Sequence, residues 1–80
     1  MREQQLLSDR IKTLCEEKNM SYYSLSYRST VPITTIMNIV HCTTKNPGIF
    51  TIVKLCDGLG VTIQEFFGAD AFEDIEREAD

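Results

Sequence analysis

The sequence predicts an all-α protein, a compact bundle of five short helices with room for a short sixth at its acidic end. Two observations carry that prediction. Apolar residues recur at helical spacing in a succession of segments, each bounded by capping and stop residues. Only two prolines and four glycines occur in 80 residues, so little interrupts those segments. A chain of this length makes one domain with a modest core. A β-hairpin anywhere within residues 20–60 would contradict this reading.

The elements follow in order. Leu7, Ile11, Leu14 and Cys15 share a helical face, so a first helix is expected from about Leu6 to Lys18, with Asn19 as a left-handed stop. Ser21 suits an N-cap for a short helix from Tyr22 to about Arg28 that turns Leu25 inward. Ser29-Thr30-Val31 has room only for a tight turn, and Pro32 suits the first turn of a helix reaching about Val40, with Ile36 and Ile39 inside. HCTTKNPG reads as a loop. Ile52, Leu55, Cys56 and Leu59 mark a fourth helix from about Phe50 to Leu59, stopped by Gly60. Thr62 and Glu65 form a capping box that opens a fifth helix through Phe67. Residues 1–69 thus form the body. Residues 70–80 form an acidic tail or a short helix, in which Phe72 and Ile75 stand three apart.

Charge is unevenly placed. The formal net charge is −4, yet residues 70–80 hold six acidic residues against Arg77 alone, which leaves residues 1–69 at +1. Between Glu17 and Asp57 there is no acidic residue, while Lys18, Arg28, Lys45 and Lys54 occur there together with His41. A contiguous block with only positive charge suits a phosphate-facing surface.

Several function classes recede. No run of about 18 apolar residues exists to span a membrane, and MREQQLLSDR has no secretory h-region, so a cytoplasmic protein is expected. Cys15, Cys42 and Cys56 are odd in number and widely spaced, which suits neither a disulfide framework nor a zinc site, and no cofactor is expected. Cys15 and Cys56 fall in apolar stripes as small core side chains, whereas Cys42 falls in a loop. His41 has no acid near it in sequence to orient it, so catalysis is not expected.

Two short helices joined by a tight turn make the core of a helix-turn-helix, whose second helix can enter the major groove of double-stranded DNA. Such a helix needs an apolar inner face and an outer face of hydrogen-bonding or methyl-bearing groups. Ile36 and Ile39 supply the first, and Ile33, Thr34, Met37, Asn38 and His41 are candidates for the second. Asn can pair adenine, and Thr and apolar side chains can meet the thymine methyl.

MSYYSLSYRSTVPITTIMNIV resembles the helix-turn-helix of the Cro/phage-repressor family, through Met20, Ser21, Leu25, Val31-Pro32 and Thr35-Ile36. KNPGIFTIVKLCDGLGVTIQEFF is similar to that family's loop, fourth helix and closing capping box, so the resemblance spans roughly residues 6–67. It implies a transcriptional regulator, as a rule a repressor. It implies that Ile33, Thr34 and Asn38 read bases with Met37 beside them, that Tyr22 meets phosphate, and that Thr43, Thr44, Lys45 and Asn46 lie against the DNA backbone. His41 is expected to add a backbone contact. Three departures stand out: Thr30 occupies the turn where the family has Gly; Cys42, in a slightly longer loop, follows the second helix where Gly is frequent; and Cys15 and Val40 replace an Arg–Glu pair. Loss of both charges together allows an apolar contact in their place.

The alternative on the same fold is a protein-interaction module, an antitoxin or adaptor, with weak or no DNA binding. On DNA a homodimer is expected, because one recognition helix covers too few base pairs to single out an operator. Phe66, Phe67, Phe72 and Ile75 are the expected apolar material of the pair surface, with folding back of Phe72 and Ile75 onto their own core as the other possibility.

Overall fold

The computed structural model describes residues 2–44 and 46–68, and these form five helices: α1 (Arg2–Glu17), α2 (Tyr22–Ser29), α3 (Ile33–Val40), α4 (Ile49–Leu59) and α5 (Ile63–Phe67). No strand occurs among the described residues. The expected sixth helix and acidic tail, with Phe72 and Ile75, lie outside them.

Four of the five helices both start and stop within one residue of the positions expected from caps and periodicity. α1 is the exception. It begins at Arg2, a full turn before Leu6. Apolar periodicity could not show that turn, because its contacts are polar: Gln4 Nε2 donates to the Thr44 carbonyl at 3.0 Å, and the Cys42 thiol stands 3.7 Å from Gln5 Oε1. Ser8, fully buried one turn later, donates to the Val40 carbonyl at 2.6 Å. A polar edge of α1 thus holds the C-terminal end of α3. Cys42, expected in an open loop, is accordingly only partly exposed.

The core gathers Ile11, Leu14 and Cys15 of α1, Leu25 of α2, Ile36, Ile39 and Val40 of α3, Ile52, Leu55, Cys56 and Leu59 of α4, and Phe66 of α5. Chief packing contacts run between α2 and α4 and between α1 and α3. Burial pushes the thiols of Cys15 and Cys56 above their ordinary value, so both remain neutral small hydrophobes. Phe66 corrects one expectation: it is fully enclosed by its own subunit and is not surface material. α5 is too short to hold by itself. Its capping box is complete, with Glu65 N–H on Thr62 Oγ1 at 2.9 Å and Thr62 N–H on Glu65 Oε1 at 3.0 Å. At its other end the Arg10 guanidinium donates to the carbonyls of Glu65 and Phe66, each at 2.7 Å, and ties α5 to α1.

α2 and α4 approach unusually closely at Gly58, a buried position inside α4. A Cβ there would lie 2.7 Å from Ser29 Cβ and 2.9 Å from Ser29 Cα. Glycine at 58 therefore sets how deep α2 sits, and with it the start of the turn into α3.

Candidate nucleic-acid interface

α2 and α3 are separated by Thr30, Val31 and Pro32. Ser21 caps α2, its hydroxyl accepting from Ser24 N–H at 3.0 Å. The turn itself is built from serine hydroxyls. Ser26 Oγ donates to the Val31 carbonyl at 2.6 Å, and the Val31 N–H donates to Ser29 Oγ at 3.2 Å. Val31 is thereby pinned into the core with both backbone groups satisfied. Thr30 adopts φ 62° and ψ 17°, the left-handed conformation that favours Gly. The turn thus passes through αL at a β-branched residue, which carries its strain. Pro32 stands just before α3 rather than within its first turn, and its carbonyl accepts from Thr35 and Ile36.

α3 is divided along its length. Ile36, Ile39 and Val40 are buried, and Thr34 and Asn38 are exposed with Ile33 and Met37 part-exposed beside them. The four residues expected to read bases thus share the outward side. Tyr22 opens α2 and is half-buried against the core. It shares with Met37, Met20 and Lys12 the wall of a groove of about 850 Å³ between α1 and α2. Burial, and then the nearby Cys15 and Glu16, raise the Tyr22 phenol above its ordinary value. It stays protonated and keeps a hydroxyl that can donate.

α3 ends in a tight reversal. Cys42 has φ 62°, its N–H donates to Ile39 at 3.1 Å, and the Thr43 N–H donates to the Asn38 carbonyl at 2.8 Å. These two bonds make a Schellman stop with cysteine in glycine's usual place. His41, exposed, closes the helix, where a cation is favourable to the dipole. The reversal returns Thr43 to the outer face, so that its hydroxyl meets Asn38. Thr44 is held by Gln4. Asn46 stands apart from the others, in an apolar groove with Leu7, Pro47, Ile49 and Phe67. Lys45 lies outside the described residues.

Sequence reasoning missed the supports of this face: Gln4 and Ser8 on α1, and Ser26, Ser29 and Gly58 behind the turn. Serines and a glycine carry no apolar periodic signal, and the partners of Gln4, Ser8 and Gly58 lie on elements distant in sequence.

Among the described residues no helix is long and apolar enough to cross a membrane, and no group of three His, Cys, Asp or Glu is placed to hold a metal ion. No curated protein and no solved structure matches the chain. The family model described as the Cro/C1-type HTH DNA-binding domain matches residues 10–71 of 80, through all of α2, α3, α4 and α5. The helix-turn-helix geometry and this match agree: the chain belongs to the Cro/C1-type helix-turn-helix DNA-binding family.

Proposed function

We propose that the chain is a sequence-specific regulator of transcription that binds double-stranded DNA as a homodimer and represses by occupying its operator. The observation that supports this best is the division of α3. Its inner residues anchor it, while Ile33, Thr34, Met37 and Asn38 stand outward together near the middle of a chain segment without acidic residues. Thr34 and Ile33 offer methyl groups to thymine, and Asn38 offers an amide to a base edge. Tyr22, His41, Thr44 and Lys45 would fix register on the phosphates. Repression by occlusion asks for nothing beyond this surface.

The dimer surface lies on α4 and α5. Ile49, Phe50 and Val53 leave one side of α4 exposed, Phe50 by 78%, and Ile63 and Phe67 continue it on α5. A second copy is the occupant, because two α3 helices about 34 Å apart meet successive major grooves on one face of the duplex. With residues 1–69 as the binding body, a tail of charge −5 would stay clear of the phosphates.

Selection of bound sites from random duplexes tests the reading. The expected result is a two-fold symmetric site whose affinity falls steeply with salt. Asn38→Ala should lose about 1–3 kcal/mol of base preference, whereas Lys45→Ala should weaken every sequence alike and reduce the salt slope by about one. Absence of any salt-dependent duplex binding would move the chain to the protein-interaction class.

A further inference from the structure

The geometry points to Thr43 as a positioning residue that sets which end of the Asn38 amide faces the DNA. This inference rests on the proposal that Asn38 reads a base. The left-handed turn at Cys42 brings residue 43 back beside the last turn of α3. There the Thr43 Oγ1 hydroxyl lies 3.1 Å from the Asn38 carbonyl oxygen and 3.3 Å from Asn38 Oδ1, within donating distance of both. The Thr43 and Thr44 N–H groups close on the same carbonyl at 2.8 and 3.3 Å, so the threonine is fixed by its own backbone. Both side chains are exposed, and among the described residues no other side chain hydrogen-bonds the Asn38 amide.

An asparagine free to rotate offers one acceptor and one donor side by side, the match for adenine N6 and N7. An asparagine whose Oδ1 is turned toward Thr43 offers the two hydrogens of Nδ2 instead. Guanine, with N7 and O6 adjacent as acceptors, is then the best partner, and cytosine, which presents only a donor in the major groove, the worst. Thr43 in this role touches no base. It selects among bases through Asn38, and that differs from the phosphate contact expected of it from sequence.

The test is site selection with four proteins: the unmodified chain, Asn38→Ala, Thr43→Val and Thr43→Ser, each checked for an unchanged melting temperature. The expected result is one position per half-site that prefers guanine in the unmodified chain and becomes indifferent in Asn38→Ala. At that position Thr43→Val, which keeps the shape and removes the hydroxyl, shifts preference toward adenine by fivefold or more. Thr43→Ser, which keeps the hydroxyl, retains guanine. The salt slope stays the same throughout. Two results overturn the inference: Thr43→Val weakening all sequences alike with a smaller salt slope, which makes Thr43 a phosphate contact, or Thr43→Val leaving the selected site unaltered. If Asn38→Ala selects the same site as the unmodified chain, the base-reading role of Asn38 itself fails, and that outcome is distinct from the other two.

Discussion

Four described helix ends turn through the left-handed region, and they fall into two unlike pairs. α1 and α4 stop at Asn19 (φ 52°) and Gly60 (φ 73°), residue types that tolerate the conformation. Both stops make the same paired bonds, Met20 N–H to Cys15 and Val61 N–H to Cys56 being the longer-range member of each. α2 and α3 stop at Thr30 and Cys42, both at φ 62°, where glycine would fit without strain. These two ends frame the helix proposed to face DNA, and they are the ends with side-chain reinforcement: Ser26 and Ser29 at the first, Gln4, Gln5 and Ser8 around the second. Strained conformations persist where surrounding contacts over-determine them, and they concentrate at functional sites. In this chain a stiffer residue in each turn would narrow the orientations that α3 can take before it meets DNA.

The framework beneath α3 should show the largest effect when broken. Cys15 and Val40 belong to one buried, uncharged cluster. Cys15→Arg should destabilise the fold by about 3–5 kcal/mol, since it buries a charge without a partner. Adding Val40→Glu should recover most of that loss, because it supplies the missing partner. Denaturant melts of the two variants check both steps. Recovery that fails would show that positions 15 and 40 are not neighbours in the core, and an unchanged melt for Cys15→Arg would show that the site is open to solvent.

Gly58 comes next, since it sets the distance between α2 and α4. Ser29 meets a Cβ at 58 through its own Cβ and backbone, groups that cannot rotate aside. Gly58→Ala should therefore cost about 1–3 kcal/mol as an overpacked contact. The change would be mildly favourable on helix propensity alone, where Ala exceeds Gly by about 1 kcal/mol. The sign of the measured change thus decides between close packing and ordinary helix behaviour. Because Ser29 also anchors Val31, the variant should weaken DNA binding as well as stability.

Gly58 also marks a limit of legibility. Ile36, Ile39, Leu55 and Leu59 announce their burial by spacing, because one helical face buries every third or fourth residue, and Gly60 and the Thr62–Glu65 box announce helix ends by chemistry that acts within a few residues. The outward group Ile33, Thr34, Met37 and Asn38 was legible for the same reason: it is what remains of α3 once the apolar face is assigned. Nothing local distinguishes Gly58 from a poor helix former, since its reason is Ser29, on another helix. Gln4 and Ser8 were hidden likewise, as their partners are carbonyls about 30 to 40 residues away in sequence. Phe66 was misread because two short helices were expected to carry more apolar side chain than one subunit buries, whereas Arg10 and the capping box hold α5 tightly enough to enclose the ring.

The smallest effect is the one that bears most directly on the two pairs of stops. Thr30→Gly removes the crowding of a Cβ at positive φ, a penalty of about 1–2 kcal/mol. It also frees the unfolded chain, which returns about 0.5–1 kcal/mol to the other side. The net gain in stability should be about 0.5–1 kcal/mol. Gly60→Ala makes the opposite change at the unstrained stop and should lose a similar amount, since a Cβ there meets nothing in space and the cost is purely one of backbone conformation. Melting temperatures of the two variants should therefore move in opposite directions. DNA binding separates them further. Thr30→Gly should raise stability yet lower affinity, because the loosened turn leaves α3 more orientations to give up on binding, an ordering cost that the native threonine has already met in the folded state. Gly60→Ala, at the far end of α4, should leave the affinity of the folded fraction unchanged. If Thr30→Gly binds its site as tightly as the unmodified chain while melting higher, the strain at residue 30 contributes nothing to recognition, and the two pairs of stops differ only in sequence.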